Sequence, residues 1–178
     1  MSSVEFSRIM ALADVPPKGT EIRFKASEEE CAALATRFDL VALSDFSGRA
    51  HMRPWRRVGL VVEGSFSANV SQTCVLTLDR VDSRVREEFK LHFLPLAMIE
   101  KLESEAAERE IIVDAASEDA PEPLEGDAID LGELMAEQLG LGIDPYPRRP
   151  GAILEIPETA SEAALKPFAA LQALKKGD

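Results

Sequence analysis

The chain is poor in the features that announce a membrane, an export route or a redox framework. No window of its 178 residues approaches the run of about 20 apolar side chains needed to cross a bilayer, so no membrane partner is expected. The opening residues, MSSVEFSRIMALADVPPKG, hold a short apolar stretch around Ile9 to Ala13. They have neither a basic n-region nor a long apolar h-region, so a signal peptide is not expected and the cytoplasm is the expected address. Only two cysteines occur, Cys31 and Cys74, too few for a disulfide framework, and both are read as small buried thiols. The two histidines, His51 and His92, are far apart and sit in no nucleophile or metal frame. There is no phosphate-cradling glycine loop and no dinucleotide fingerprint. Carboxylates are abundant, but so many exposed acids make any one pairing uninformative. An enzyme is therefore not expected, nor a cofactor, a metal or a small-molecule substrate. Aromatics make up 6% of the chain, which leaves aliphatic side chains to do most of the packing in a core that a 46% hydrophobic content can supply.

Positive charge is also scarce. The formal net charge is −12, and a uniformly acidic surface would repel phosphate backbones. The charge is uneven, however. Arg49 to Arg57 reads RAHMRPWRR, with four arginines and no acid, whereas Glu100 to Asp130 holds twelve acids against Lys101 and Arg109.

Local patterning predicts an α+β fold: an antiparallel sheet of about five or six strands with flanking helices and a mobile acidic loop. TEIRFKA alternates, with Ile22, Phe24 and Ala26 on one side and Glu21, Arg23 and Lys25 on the other, the mark of a half-buried strand. Ser27 followed by Glu28, Glu29 and Glu30 is a capping box for a helix running to about Arg37 with Cys31, Leu34, Ala35 and Phe38 near its apolar face. Val41, Leu43 and Phe46 belong to the next strand, with a bulge or turn at Ser47-Gly48. Two more strands, joined or kinked near Gly64 to Asn69, follow in RVGLVVEGSFSANVSQTCVLTLDRV, and Arg84 to Leu94 alternates again with Val85, Glu87, Phe89, Leu91 and Phe93 on one face. The short connections favour antiparallel pairing. MIEKLESEAAERE reads as a helix, IIVD as a strand, and ASEDAPEPLEGDA as an exposed acidic loop with almost nothing to bury. Asp130 caps a helix, LGELMAEQLG, with Leu131, Leu134, Met135 and Leu139 on one face and Gly140 and Gly142 as its stop. The expected organisation is an N-terminal arm (1–19), an α+β domain (20–150) with the acidic loop near 114–127, and a C-terminal extension (151–178) ending in the amphipathic KPFAALQALKK.

Four segments carry a resemblance: Ser71 to Leu78 (SQTCVLTL), Asp127 to Leu134 with Glu137-Gln138-Leu139, Asp144 to Arg148 (DPYPR), and Pro167 to Leu171 (PFAAL). In this order, from about residue 20 to the C-terminus, they resemble the bacterial YceD family. The resemblance implies a small protein linked to large-subunit ribosomal RNA accumulation and ribosome biogenesis, and brings no catalytic residue set with it. Family members commonly carry Cys-x-x-Cys where this chain has Ser71-Gln72-Thr73-Cys74. One thiolate cannot form the paired sulfur grip that zinc prefers, so no metal site is expected there.

Two surfaces are candidate sites. Arg49, His51, Arg53, Trp55, Arg56 and Arg57 are the RNA-facing candidates, since arginine grips phosphate through a planar fork and arginine and tryptophan both stack on unpaired bases. Arg80, Arg84 and Arg86 would extend that patch across a neighbouring strand in the right register, which the sequence does not fix. The plainer reading is a solvated strand edge that offsets the acidic body. Asp127, Asp130, Glu133, Glu137 and Tyr146 form the partner-binding candidates: an acidic helix that could hold a basic ribosomal protein by charge complementarity. Its plainer reading is a core helix with acids facing water. The leading expectation is a non-enzymatic factor that binds precursor ribosomal RNA, and the alternative is an acidic adaptor or escort for a basic large-subunit ribosomal protein.

Overall fold

The computed structural model describes residues 5–108 and 120–153. Its centre is a five-stranded sheet in sequence order: β2 (Thr20–Lys25), β3 (Ala42–Trp55), β4 (Gly59–Thr73), β5 (Arg80–Pro95) and β6 (Glu122–Leu124). The first four are antiparallel, and β6 lies parallel to the end of β5. A two-stranded sheet pairs β1 (Ile9–Ala11) with β7 (Ala128–Asp130). Three helices complete the chain: α1 (Glu28–Arg37), α2 (Leu96–Glu108) and α3 (Leu131–Gly142). The fold is α+β, mostly sheet with flanking helices.

Period-two patterning builds the sheet. Along β4 the even residues Leu60, Val62, Phe66, Ala68 and Val70 are buried, while Glu63, Ser65, Ser67 and Asn69 face the other way, half-buried. Register carries this division across the strands, so Phe24, Gly48 and Phe66 share the inner face and Arg23, Arg49 and Ser65 the outer one. A bulge at Ser44–Ser47, with Asp45 at φ 53, resets β3 so that Leu43 and Phe46, three residues apart, both point inward. The bulge thus precedes Ser47-Gly48, where the sequence pattern placed it.

The helices form for local reasons. In α1, Ser27 Oγ accepts from Glu30 N (3.1 Å) while Glu30 Oε2 accepts from Ser27 N (2.8 Å), closing the expected capping box. Asp130 caps α3 by accepting from the amides of Gly132 and Glu133. Buried side chains of α1 (Cys31, Leu34, Ala35) and α3 (Leu131, Leu134, Met135, Leu139) join the inner face of the sheet in one core. Its centre is aromatic after all. Phe6, Phe24, Phe46 and Phe66 form a chain of tilted and edge-on rings with centroids 5.3–5.6 Å apart, so half of the eight phenylalanines are concentrated where packing is tightest.

Four expectations need correction. The two strands expected to meet near Gly64 to Asn69 are one, since β4 runs unbroken from Gly59 to Thr73. Residues 122–124 lie inside the segment read as an acidic loop, yet they form β6. Leu124 is buried there, and Pro123 is tolerated because the strand is an edge. Gly140 does not stop α3, which runs on to Gly142. A Cβ at Gly140 would lie 2.9 Å from the Phe38 ring, so this glycine admits a neighbour rather than ending the helix. Residues 5–19 of the segment expected as an arm pack on the body, with Phe6 only 1% exposed and β1 paired to β7. The IIVD strand and the terminal KPFAALQALKK fall outside the described residues.

Candidate nucleic-acid interface

Strand alternation divides the basic segment. Arg49, His51, Arg53 and Trp55 point to the outer face of β3, and Arg56 and Arg57 form the turn to β4. Cross-strand neighbours then decide what each charge can do. Arg53 donates to Glu63 at 3.1 Å, Lys90 approaches the same carboxylate at 3.7 Å, and the Arg53 bond holds the Glu63 carboxyl below its ordinary range. His51 sits opposite Glu63 in that row. Trp55 is engaged too: the His92 ring centroid is 4.6 Å from its own, and the Arg56 guanidinium lies 4.4 Å from the indole centroid. His92 itself is buried.

Arg49 is different. Its Nε donates to the hydroxyl of Ser65 (3.3 Å) rather than to an acid, and further cations lie in its own row and the rows beyond it. One outer row reads Arg23, Arg49, Ser65, Glu88 across β2 to β5; the next reads Lys25, Ser47, Ser67, Arg86; beyond it Asn69 faces Arg84. Arg84 also donates to a floor serine, Ser67, at 3.2 Å. The result is a trough of about 910 Å³, walled by Arg23 and Arg49 on one side and Arg84 and Arg86 on the other, with Ser47, Ser65 and Ser67 between. Glu87 and Glu88 stand at its β5 rim. Of these cations only Arg49 lies in the basic run that the sequence displays, and Arg84 and Arg86 join it through a register the sequence does not fix. Arg23 and Lys25 were legible as the outward side of TEIRFKA, and the pattern Ser65, Ser67, Asn69 as a small polar outer stripe.

The acidic candidates lie apart from this trough, because α3 packs on the inner face of the sheet. Asp130 is wholly occupied: besides its two capping bonds it accepts from Ser7 Oγ (2.6 Å) and Arg8 N (2.7 Å). Burial pushes its carboxyl up, but these donors outweigh burial and hold it below the usual range. Glu133 is gripped by both terminal nitrogens of Arg37, at 2.6 and 2.9 Å. Glu137 is exposed at the surface of α3, and its carboxyl is pushed up by burial of part of its environment and by Glu133 and Glu122 nearby. Asp127 is exposed in a turn, its carbonyl accepting from Leu12 N. Tyr146 is 70% exposed in a segment strapped to the β4–β5 turn through Gln72 to the Asp144 carbonyl and Val75 N to the Pro147 carbonyl.

That strap also shapes Cys74. Its sulfur accepts from the Thr77 hydroxyl and from the amides of Arg149, Thr77 and Leu76, which lowers its pKa to about 6, whereas burial raises that of Cys31. Ser71, three residues before Cys74, is committed elsewhere, donating to Asp82 (2.5 Å) and accepting from Arg80 (2.7 Å). Among the described residues no group of three or more His, Cys, Asp or Glu is placed to hold a metal ion. Also among these residues, no helix is long and apolar enough to cross a membrane.

The family model described as large ribosomal RNA subunit accumulation protein YceD matches residues 62–175, a stretch that takes in nearly all of β4 together with β5 and α3 and begins after the Arg49–Arg57 segment. No curated protein and no solved structure matches the chain.

Proposed function

The chain belongs to the YceD family of large ribosomal RNA subunit accumulation proteins, and on that premise we propose that it is a non-enzymatic factor that binds precursor RNA on the outer face of its sheet. The family's description supports a role related to ribosome biogenesis. The observation that supports direct RNA contact is the collection of Arg23, Lys25, Arg49, Arg84 and Arg86 on one outer face of a chain whose net charge is −12. A basic island in an acidic protein attracts phosphate locally while the rest of the surface repels it, which restrains non-specific coating of nucleic acid. Arg56 and Arg57, both exposed at the β3–β4 turn, form a separate basic point beyond the row that holds Glu63. The test is binding of the purified protein to labelled large-subunit RNA fragments over a range of salt, with an unrelated RNA as control. Salt-sensitive binding is expected, with the unrelated RNA reporting how much of it is sequence-independent; a folded protein that binds no RNA at any salt removes the reading.

A second reading has its own observation. Glu137, Glu133 and Glu122 lie close enough that their charges disfavour one another, on α3 and β6. An acidic patch that Arg37 relieves only in part suits a basic ribosomal protein. Because α3 and the trough lie on opposite faces of the sheet, both contacts could be made at once, as in an adaptor that bridges RNA and protein.

A further inference from the structure

We infer that the trough between β2 and β5 is a seat for the sugar–phosphate backbone of a single-stranded polynucleotide, gripped by its phosphates and not by its bases. This deepens, and rests on, the RNA reading above. Three features define the ligand. The walls carry guanidinium groups, Arg23 and Arg49 from β2 and β3 and Arg84 and Arg86 from β5, and guanidinium forks match phosphate oxygens in bidentate pairs. Glu88 stands in the Arg49 row, and Arg23 is shared with Glu21 at 3.0 Å, so Arg49, Arg84 and Arg86 are the cations that carry the seat. The floor is hydroxyl: Ser47, Ser65 and Ser67 rise between the walls, and two of them already bond Arg49 and Arg84, which orients those arginines without neutralising them. Arg86 makes no ion pair among the described residues, and it is exposed.

Width and the position of the aromatics decide the rest. From β3 to β5 is two strand spacings and from β2 to β5 three, roughly 10 and 14 Å, room for one backbone with its bases turned out rather than for two paired strands. Successive rows are about 7 Å apart along the strands, so the cations form more than one phosphate position. Aromatic side chains would be needed on this floor to stack bases, as single-strand readers commonly do. Phe24 and Phe66 line the trough from below, but their rings belong to the Phe6–Phe46 cluster on the inner face. Trp55 lies further along β3 and is occupied by His92 and Arg56. Sequence preference at this seat should therefore be weak, and a 2′-hydroxyl should not be required.

The experiment measures affinity of the full chain for oligo(U), oligo(A), single-stranded DNA of equal length and a duplex RNA, each across a salt series. The single strands should agree within about threefold and the duplex should bind more weakly. Arg84→Ala with Arg86→Ala should weaken single-strand binding about tenfold at ~0.1 M salt and flatten the salt slope by about 1.4. Arg84→Lys with Arg86→Lys should keep the slope and lose part of the affinity, the signature of forked contacts. On the unaltered protein, inorganic polyphosphate should displace a bound strand and free uridine should not. RNA binding that ignores the double alanine change, or prefers duplex, overturns the seat while leaving RNA binding in place. Displacement by uridine but not by polyphosphate also overturns it. Absence of all polynucleotide binding overturns both this seat and the reading it rests on.

Discussion

The two faces of the sheet carry side chains from the same strands, one residue apart, yet put them to opposite uses. On the inner face Phe24, Phe46 and Phe66 are locked into the core with Phe6 and the helices. On the outer face Arg23, Arg49, Arg84 and Arg86 border a trough floored by serines. The charged helix α3 shows a third use, in which charge holds the fold together. Asp130 caps the helix and ties down Ser7 and Arg8, and Glu133 fixes Arg37. A charge whose partners belong to the fold is a structural element, whereas one that leans on a hydroxyl remains available. On that criterion Arg49, Arg84 and Arg86 are available, and Arg53, Asp130 and Glu133 are not.

The sharpest way to break the comparison is to mutate both faces of one sheet. Phe46→Ala should cost about 3–5 kcal/mol, because the ring is fully buried and touches three other rings that cannot collapse into the cavity. Arg86→Ala should change stability by no more than about 0.5 kcal/mol. Denaturant unfolding of the two variants checks this, and equal losses would mean that the outer face is part of the fold's support. Asp130→Ala should fall between them, at about 2 kcal/mol, from the lost cap and the orphaned Ser7 and Arg8 donors. The pH dependence has a definite sign. Asp130 is held below its ordinary pKa in the folded chain, so its contribution is complete above the ordinary carboxylate range and is lost as pH falls through the depressed value. The variant should therefore lose less stability on acidification than the parent does.

The cysteines give the same contrast within one residue type. Cys74, at about 6, contributes stability that is complete above the ordinary thiol pKa and lost as pH falls toward 6; Cys31, raised by burial, stays a thiol at neutral pH. Thr77→Val removes the largest contribution to that shift. It should abolish most of the thiolate absorbance at neutral pH, with Cys31→Ser as the background in which to record it. Undiminished absorbance in Thr77→Val would show that the amides of Arg149, Thr77 and Leu76 suffice.

Much of this arrangement was readable locally and little of it globally. The Ser27 capping box, the Asp130 cap and the alternation of β2 and β5 depend on residues within a few positions of one another, so the sequence displays them directly. β6 has three residues, one of them proline, and its partner lies almost thirty positions back, across α2. No periodicity can reveal a strand so short. The basic run at residues 49–57 read as one patch because sequence reading sees neighbours along the chain. The sheet instead sorts by alternate residues and by cross-strand partners, and Glu63 on β4 removes Arg53 from the patch while Arg84 and Arg86 on β5 enter it. Register was the missing quantity, and the bulge at Asp45 shows how one extra residue resets it.

Smaller effects test whether the β3–β4 turn is shaped for stability. Arg56 and Arg57 have φ of 48 and 68, a left-handed conformation that glycine adopts more cheaply than any side chain. Arg57→Gly should raise stability by about 0.5 kcal/mol once glycine's greater unfolded-state entropy is set against the relieved strain. If RNA affinity falls in the same variant, arginine at this turn serves binding at the expense of the fold. A variant that is less stable would instead mean that Arg57 has packing value there.

The smallest expected effect bears on the acidic side. Glu137 has a raised pKa, first from burial and then from Glu133 and Glu122, partly offset by Arg37. For an acid shifted upward, ionisation costs more in the folded chain than in the unfolded one. Its relative contribution is therefore present at low pH and lost as pH rises through the folded value. Glu137→Gln should then match the parent near pH 3 and exceed it at neutral pH by only about 0.3 kcal/mol, since the group is exposed and solvent screens it. An acid kept where a neutral amide would be more stable points to a task outside the fold. Titrating both proteins with a basic large-subunit ribosomal protein at matched salt decides whether that task is partner capture. Weaker capture by the more stable variant supports the bridging adaptor, and unchanged capture leaves α3 as a helix whose acids merely face water.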